Sequence, residues 1–236
     1  MNYLYLALDL GVILFPFLLS FDKKVAYYTQ WKSVLLALVL VGIPFLIHDY
    51  FFTEHGIWGF EPAYLSGLYI ANLPLEEVLF FVVVPFACVF IYACVKQYFA
   101  VYSFKQFNQL FYGFIGVYAV IVLLLGWSNW YSSMASIAAL ILLFYVYKKP
   151  NIQFIPFAFS LSMIPFFMMN SVLTGLATAT PVVWYNNSEN LNFRWGTIPV
   201  EDVLYSFVLI VCNILIVEWH SQKEKPATSL ESRKLL

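Results

Sequence analysis

Asn72-Leu73-Pro74-Leu75-Glu76-Glu77-Val78-Leu79-Phe80 opens a long apolar run. Its pattern returns as Thr197-Ile198-Pro199-Val200-Glu201-Asp202-Val203-Leu204-Tyr205. Each copy is a proline, a spacer and two adjacent acids. Proline in the first helical turn is a helix-start signal. Both acid pairs are therefore expected in the first turn of an apolar helix. Ionisable groups inside a membrane segment are costly and are functional candidates by default. The same pair found twice points to one site built from two halves.

The surroundings of the motif set the class. The chain has 236 residues, 62% of them hydrophobic and 11% charged, against about 25% charged in a soluble domain. This composition indicates an all-α integral membrane protein. A net charge of −1 and the lack of a basic cluster argue against a nucleic-acid partner. The 24 Phe and 17 Tyr exceed what interfacial belts require, so some rings are expected to line a pocket. Cys88, Cys94 and Cys212 all lie in apolar runs, which argues against a disulfide framework. The N-terminus lacks a basic region, so its first apolar run reads as a retained span rather than a signal peptide.

A spanning helix needs about 20 apolar residues. Seven stretches approach that length: Tyr3–Ser20, Val34–Phe52, Pro74–Val95, Leu110–Trp127, Tyr131–Tyr147, Phe154–Leu173 and Pro199–Glu218. With seven spans, eleven of the 12 basic residues fall on one side and only Arg194 on the other. Cytoplasmic loops are enriched in Lys and Arg. The expected location is the cell (inner) membrane, with the N-terminus outside and the C-terminus cytoplasmic.

The duplication extends beyond the acids. Ile43-Pro44-Phe45 in the second span matches Ile164-Pro165-Phe166 in the sixth, which sets Asp49 opposite Asn170. The chain thus divides into a first three-helix repeat (1–98), a connector helix (99–130), a second three-helix repeat (131–220) and a polar, disordered cytoplasmic tail (221–236). An odd connector makes the repeats parallel, related by an axis along the membrane normal. Both acid pairs then sit on the same, outer side.

Adjacent helical residues point about 100° apart, so one acid of each pair can face the partner repeat while its neighbour is held locally. Helix capping alone is the competing reading. Repetition of two adjacent acids after proline favours a site. His48 and Asp49 end the second span, where they serve either as a relay to the acids or as interfacial groups. Asp9 lies midway in the first span and needs a polar partner in the bundle. Arg194 is the fixed positive charge nearest the acids. The three histidines, His48, His55 and His220, are too dispersed for a zinc site, and no HExxH or CxxC occurs, so no metal is expected. No GxGxxG fingerprint follows a strand, so no flavin or nicotinamide cofactor is expected either. Acids and aromatic rings in a membrane suit proton-initiated chemistry on a lipophilic polyene, with ring faces stabilising a carbocation. A small membrane transporter using the acids as a proton relay is the non-enzymatic alternative.

Several stretches carry a resemblance. These are Gly56-Ile57-Trp58-Gly59-Phe60, Tyr64-Leu65 and the first acid motif through Phe81, then Trp184-Tyr185-Asn186-Asn187 and Gly196 through Asp202. Over about residues 1–220 the chain resembles the membrane-embedded, heterodimer-type lycopene β-cyclases, here with both halves fused. The resemblance implies an isomerase of carotenoid biosynthesis that closes the ψ-ends of lycopene into β-rings without redox chemistry. It implies Glu76, Glu77, Glu201 and Asp202 as catalytic candidates, with Glu77 or Glu76 donating a proton and Glu201 favoured to accept one. Asp9, His48, Asp49, Asn170 and Arg194 are supporting candidates. The expected partners are lycopene and membrane lipid. A related carotenoid hydratase is the enzymatic alternative.

Overall fold

The computed structural model describes residues 3–147, 149 and 152–224. These form seven α-helices: α1 (Leu4–Leu19), α2 (Trp31–Glu54), α3 (Leu75–Tyr98), α4 (Lys105–Leu125), α5 (Trp130–Tyr147), α6 (Ile155–Leu173) and α7 (Glu201–Glu224). Six are long and apolar enough to cross a membrane. The first, α1, is equally apolar but has 16 residues, just under the usual ~17–25. The all-α membrane architecture expected from hydropathy is therefore present.

Two boundaries differ from the sequence reading. Helix α4 begins at Lys105 rather than Leu110, because the polar turn before its apolar run holds no helix breaker. Asn108 Nδ2 in that turn donates to the Gln153 carbonyl at 2.9 Å. Helix α7 runs on to Glu224, into the segment expected to be a disordered tail. Ser221, Gln222 and Lys223 are tolerable helix formers, and the first strong breaker in the sequence is Pro226. The rest of the tail, and Lys148 and Pro150 of the basic turn, lie outside the described residues.

Helices α1–α3 and α5–α7 pack as two equivalent sets. Helix α1 lies on α3 and α5 on α7; across the sets, α2 lies on α7 and α6 on α3. The middle helix of each set thus covers the last helix of the other. Apolar faces that one set leaves open are buried only by its counterpart, in a continuous core containing Phe86, Val89, Phe159, Phe207 and Ile210. Helix α4 packs on α5 and α6, and its Tyr118 hydroxyl donates to the Val200 carbonyl at 2.8 Å, just before α7.

The segments before α3 and α7 hold short β structure. Strands β2 (Tyr69–Ile70) and β3 (Leu73–Pro74) form one hairpin, and β5 (Arg194–Trp195) and β6 (Ile198–Pro199) form its counterpart. Each two-residue turn starts with positive φ, +55° at Ala71 and +65° at Gly196, as tight hairpins require. Each turn is also tied to the end of a middle helix. Asn72 Nδ2 donates to the Tyr50 carbonyl at 3.0 Å, and Thr197 Oγ1 to the Ser171 carbonyl at 3.0 Å. The motif prolines therefore close hairpins: Pro74 is the N-cap of α3, and Pro199 ends β6 two residues before Glu201.

A third ribbon joins the sets. Strand β1 (Trp58–Phe60) runs antiparallel to β4 (Val183–Tyr185). Counted from the acid pairs, Gly59 and Trp184 hold the same place in the two sets, and they face each other in the register. Trp58 faces Tyr185, and Phe60 faces Val183. This is the pattern of a local two-fold axis through the Gly59–Trp184 pair. A Cβ on Gly59 would fall 2.3 Å from the Trp184 ring.

The turn between α4 and α5 gives a test of packing. A Cβ on Gly126 would lie 2.5 Å from Ser132 Cβ and 2.9 Å from Leu191 Cδ2. A Cβ on Gly113, within α4, would meet nothing within 4 Å. Gly126→Ala should destabilise by the ~1–3 kcal/mol typical of overpacking. Gly113→Ala should be neutral or stabilising by up to ~1 kcal/mol, from helix propensity. Thermal unfolding of the two purified variants in detergent reads the contrast.

Candidate active site

Both acid pairs occupy the first helical turn, Glu76 and Glu77 in α3 and Glu201 and Asp202 in α7. There they meet the positive end of the helix dipole. All four are buried, at 0%, 8%, 0% and 4% exposure, so protein groups must replace the water they lose. The two members of each pair find different partners.

The first members turn back to the loops. Glu76 Oε1 accepts from the Ser66 amide at 2.6 Å. Glu201 Oε1 accepts from the Leu191 amide at 2.7 Å and from Ser132 Oγ at 2.6 Å. In each set the amide lies ten residues before its acid. These two glutamates fasten the hairpin segment to the helix that follows it.

The second members turn inward to a shared cavity of about 50 Å³, lined by Asp49, Glu77, Asn170 and Asp202 together with Tyr5, Trp58, Phe60, Phe80, Tyr131, Phe166, Leu173, Val183, Tyr185 and Tyr205. The structure thus brings Glu77 and Asp202 together and leaves Glu76 and Glu201 outside. Tyr5 donates to Glu77 Oε2 at 2.7 Å. Tyr131 holds the same place on α5 and donates to Asp202 Oδ1. Asn170 Nδ2 donates to Asp202 Oδ2 at 2.7 Å, and Tyr185 adds a third donor at 3.1 Å.

Asp49, the counterpart of Asn170, is 1% exposed and lines the same small cavity as Glu77. It also accepts from the Tyr205 hydroxyl at 2.8 Å. Two carboxyl groups that face one buried cavity can share a single proton. The Asp49–Glu77 couple is therefore suited to hold one. Asp202 is hydrogen-bonded by three donors, Tyr131, Asn170 and Tyr185, and is suited to be an acceptor. Tyr185, in the ribbon beside the helices, is pushed well above the usual tyrosine range by burial and by the nearby Asp202 and Glu77 carboxylates. It remains a neutral donor.

The supporting candidates fall into distinct places. His48 Nδ1 lies 3.4 Å from Asp49 Oδ1, a long contact, and its ring stacks near Phe52 and Trp58. Asp9 is 1% exposed, and neither carboxyl oxygen has a hydrogen-bond partner among the described residues. It does not line the cavity. Arg194 donates to the Thr197 carbonyl and to Asn187 Oδ1, both at 2.9 Å, and lies over the Tyr185 ring. It braces the second hairpin rather than an acid. Of the aromatic residues near the motifs, Trp58, Phe80 and Tyr205 line the cavity. Phe81 packs in the core, Trp184 covers Gly59, and Trp195 reaches Tyr118. Sequence reasoning missed Tyr5, Tyr131 and Tyr185. The first two sit at matching places in the two copies, 126 residues apart, and an alignment of the halves exposes them.

The fold and site define an integral membrane protein in which two equivalent helical sets share one buried carboxyl cluster. A family model described as lycopene cyclase matches residues 2–95 and 128–220. Those matches span most of the chain and fall on the two helical sets, and the chain belongs to the lycopene cyclase family. Membership makes it a lycopene cyclase, an isomerase of the intramolecular-lyase kind that acts on a lipophilic carotenoid. Comparison with curated proteins returned no significant match, and neither did comparison with solved structures.

The two kinds of acid should respond differently to substitution. Glutamine at position 201 keeps an oxygen for Leu191 and Ser132, so Glu201→Gln should fold and retain substantial activity. Glu201→Ala leaves buried donors unpaired and should destabilise by ~1–3 kcal/mol for each. Glu77→Gln should fold yet lose turnover. Thermal unfolding and lycopene conversion, measured on the same preparations, separate these outcomes.

Proposed function

We propose that the chain closes the ψ-ends of lycopene into β-rings by acid–base chemistry, with the Asp49–Glu77 couple as donor and Asp202 as acceptor. The single observation that carries this reading is the difference between the two inward acids. One faces the cavity beside a second carboxyl, Asp49, and the other is met by three donors. The couple delivers its proton to the terminal alkene and leaves a tertiary carbocation. The electrons of an inner double bond attack that centre and close the six-membered ring. Asp202 removes a proton from a ring carbon, which forms the ring double bond. One proton enters and one leaves, so substrate and product are isomers.

The rings around the acids support the cation. Trp58, Phe60, Phe80 and Phe166 line the cavity and present π faces that stabilise positive charge without trapping it. Tyr5, Tyr131, Tyr185 and Tyr205 orient the carboxyls. The acceptor role moves from Glu201, favoured in the sequence reading, to Asp202, because Asp202 lines the cavity and Glu201 does not. The duplicated units are taken as 1–98 and 131–220, joined by 99–130. The proposed orientation keeps the cavity on the outer side of the cell (inner) membrane, as the distribution of basic residues suggests.

Purified protein in lipid should convert lycopene without added reductant, nicotinamide or flavin. In heavy water each new ring should gain about one deuterium at the protonated carbon, as general acid delivery requires. Glu77→Gln and Asp202→Asn should each lower turnover by the ~10²–10⁴-fold typical of lost acid–base help. Rings formed without deuterium would overturn the mechanism, and a product heavier by one water would identify a hydratase.

Orientation is tested separately. In a chain with Cys88, Cys94 and Cys212 replaced, Ala63→Cys and Ser188→Cys should react with an impermeant thiol reagent added outside intact cells. Labelling confined to inside-out vesicles would reverse the orientation.

A further inference from the structure

The acid cavity is narrow, and three apolar grooves lie near it. The largest, about 630 Å³ between α4 and α6, shares no lining residue with the cavity. A groove of about 560 Å³ runs between α1, α3 and α6, and meets the cavity at Phe80, Phe166 and Asn170. Its counterpart by the local two-fold lies between α2, α5 and α7, meets the cavity at Tyr131 and Tyr205, and holds about 180 Å³. Continuity with the acids excludes the first groove, and volume separates the other two.

The difference in size follows from the side chains. Gly11, Ala7 and Ala87 leave the larger groove open, and a Cβ built on Gly11 meets nothing within 4 Å. In the smaller groove His48 stands where Met169 lies in the larger, and the rings of Tyr131 and Tyr205 narrow the way in. Along α3 the larger groove extends from Phe80 to Ile91, a rise of about 16 Å at ~1.5 Å per residue. That is about half the ~30 Å hydrocarbon thickness.

Resting on the lycopene cyclase reading, we propose that the polyene chain of the substrate lies in the α1/α3/α6 groove. One end reaches the acids, and the chain runs toward the middle of the bilayer. The lining is almost wholly apolar, as a hydrocarbon rod requires, and the exposed Ala7 and Gly11 leave its side open for entry from lipid. Phe80 and Phe166 stand between groove and cavity, and their rotation joins the two into a space that admits a ring. The smaller groove is not the substrate path. The site therefore takes one end of the substrate at a time.

The test grades the size of residue 11 on a helix face where the fold has room. Gly11→Ala, Gly11→Val and Gly11→Leu should keep the thermal stability of the parent, because nothing in the protein opposes the added atoms. The leucine variant should raise the KM for lycopene in lipid by about ten-fold, equivalent to losing about 1.4 kcal/mol of chain contacts, with alanine and valine between. Ala138→Leu, which fills the smaller groove, should stay within about two-fold of the parent. Lycopene binding is read in parallel by quenching of tryptophan fluorescence in the Glu77→Gln background, where no turnover is needed. Weaker binding in Gly11→Leu, Glu77→Gln supports the groove even if the parent protein forms a different product. Unchanged binding and KM across the Gly11 series would mean that the groove holds only lipid, and would overturn the proposal. Loss on Ala138→Leu but not on Gly11→Leu would overturn it in favour of the smaller groove.

Discussion

Five carboxyl groups, those of Asp49, Glu76, Glu77, Glu201 and Asp202, are buried at one end of a membrane bundle, and the rest of the structure answers the cost of keeping them there. A carboxylate without hydrogen-bond partners is costly in such a place. Glu77 and Asp202 take their hydrogen bonds from residues of their own sets, and Asp49 joins the two. Asp49 of the first set takes the hydroxyl of Tyr205 from the second. Between them stand the rings of Trp58 and Tyr131, 5.2 Å apart. The crossing of α2 over α7 and α6 over α3 brings these groups within reach. Burial of the apolar faces and satisfaction of Asp49 therefore depend on the same helix crossings.

The two sets share a plan, and the site depends on where they depart from it. Across the local two-fold Asp49 corresponds to Asn170, Glu77 to Asp202, Phe60 to Tyr185 and Phe80 to Tyr205. An amide in place of a carboxyl removes the proton-sharing partner from the second set. A phenol in place of a phenyl adds a donor there. Symmetry is kept where the role is to hold the backbone, as with Glu76 and Glu201 or Asn72 and Thr197. It is broken where the role is to treat two protons differently.

Much of this was legible in the sequence because the signals were strong. Long apolar runs named the helices, and two acids after each proline named the site. The short ribbons were not legible, since strands of two or three residues carry no periodicity to detect. The choice between Glu76 and Glu77, or between Glu201 and Asp202, was also hidden. Neighbours on a helix differ by direction alone, and only packing decides which of them faces the other set. Tyr5 and Tyr131 were obscured by abundance: in a chain with 17 tyrosines, no single one stands out until the copies are superposed. The break in symmetry was partly visible, since Asn170 was already matched to Asp49, but its meaning needed the Asn170–Asp202 bond at 2.7 Å.

The proposed placement of donor and acceptor on different sets has a stereochemical consequence. A pocket with true two-fold symmetry would offer the same surroundings to either face of a planar alkene. Here Asp49 and Glu77 approach from one set and Asp202 from the other, so the cavity has a handedness. A substrate end held within it exposes one face to the incoming proton and one ring hydrogen to the base. The two methyl groups that become geminal in the ring then keep their separate origins, and the base meets the single hydrogen of the newly bonded ring carbon from one fixed side.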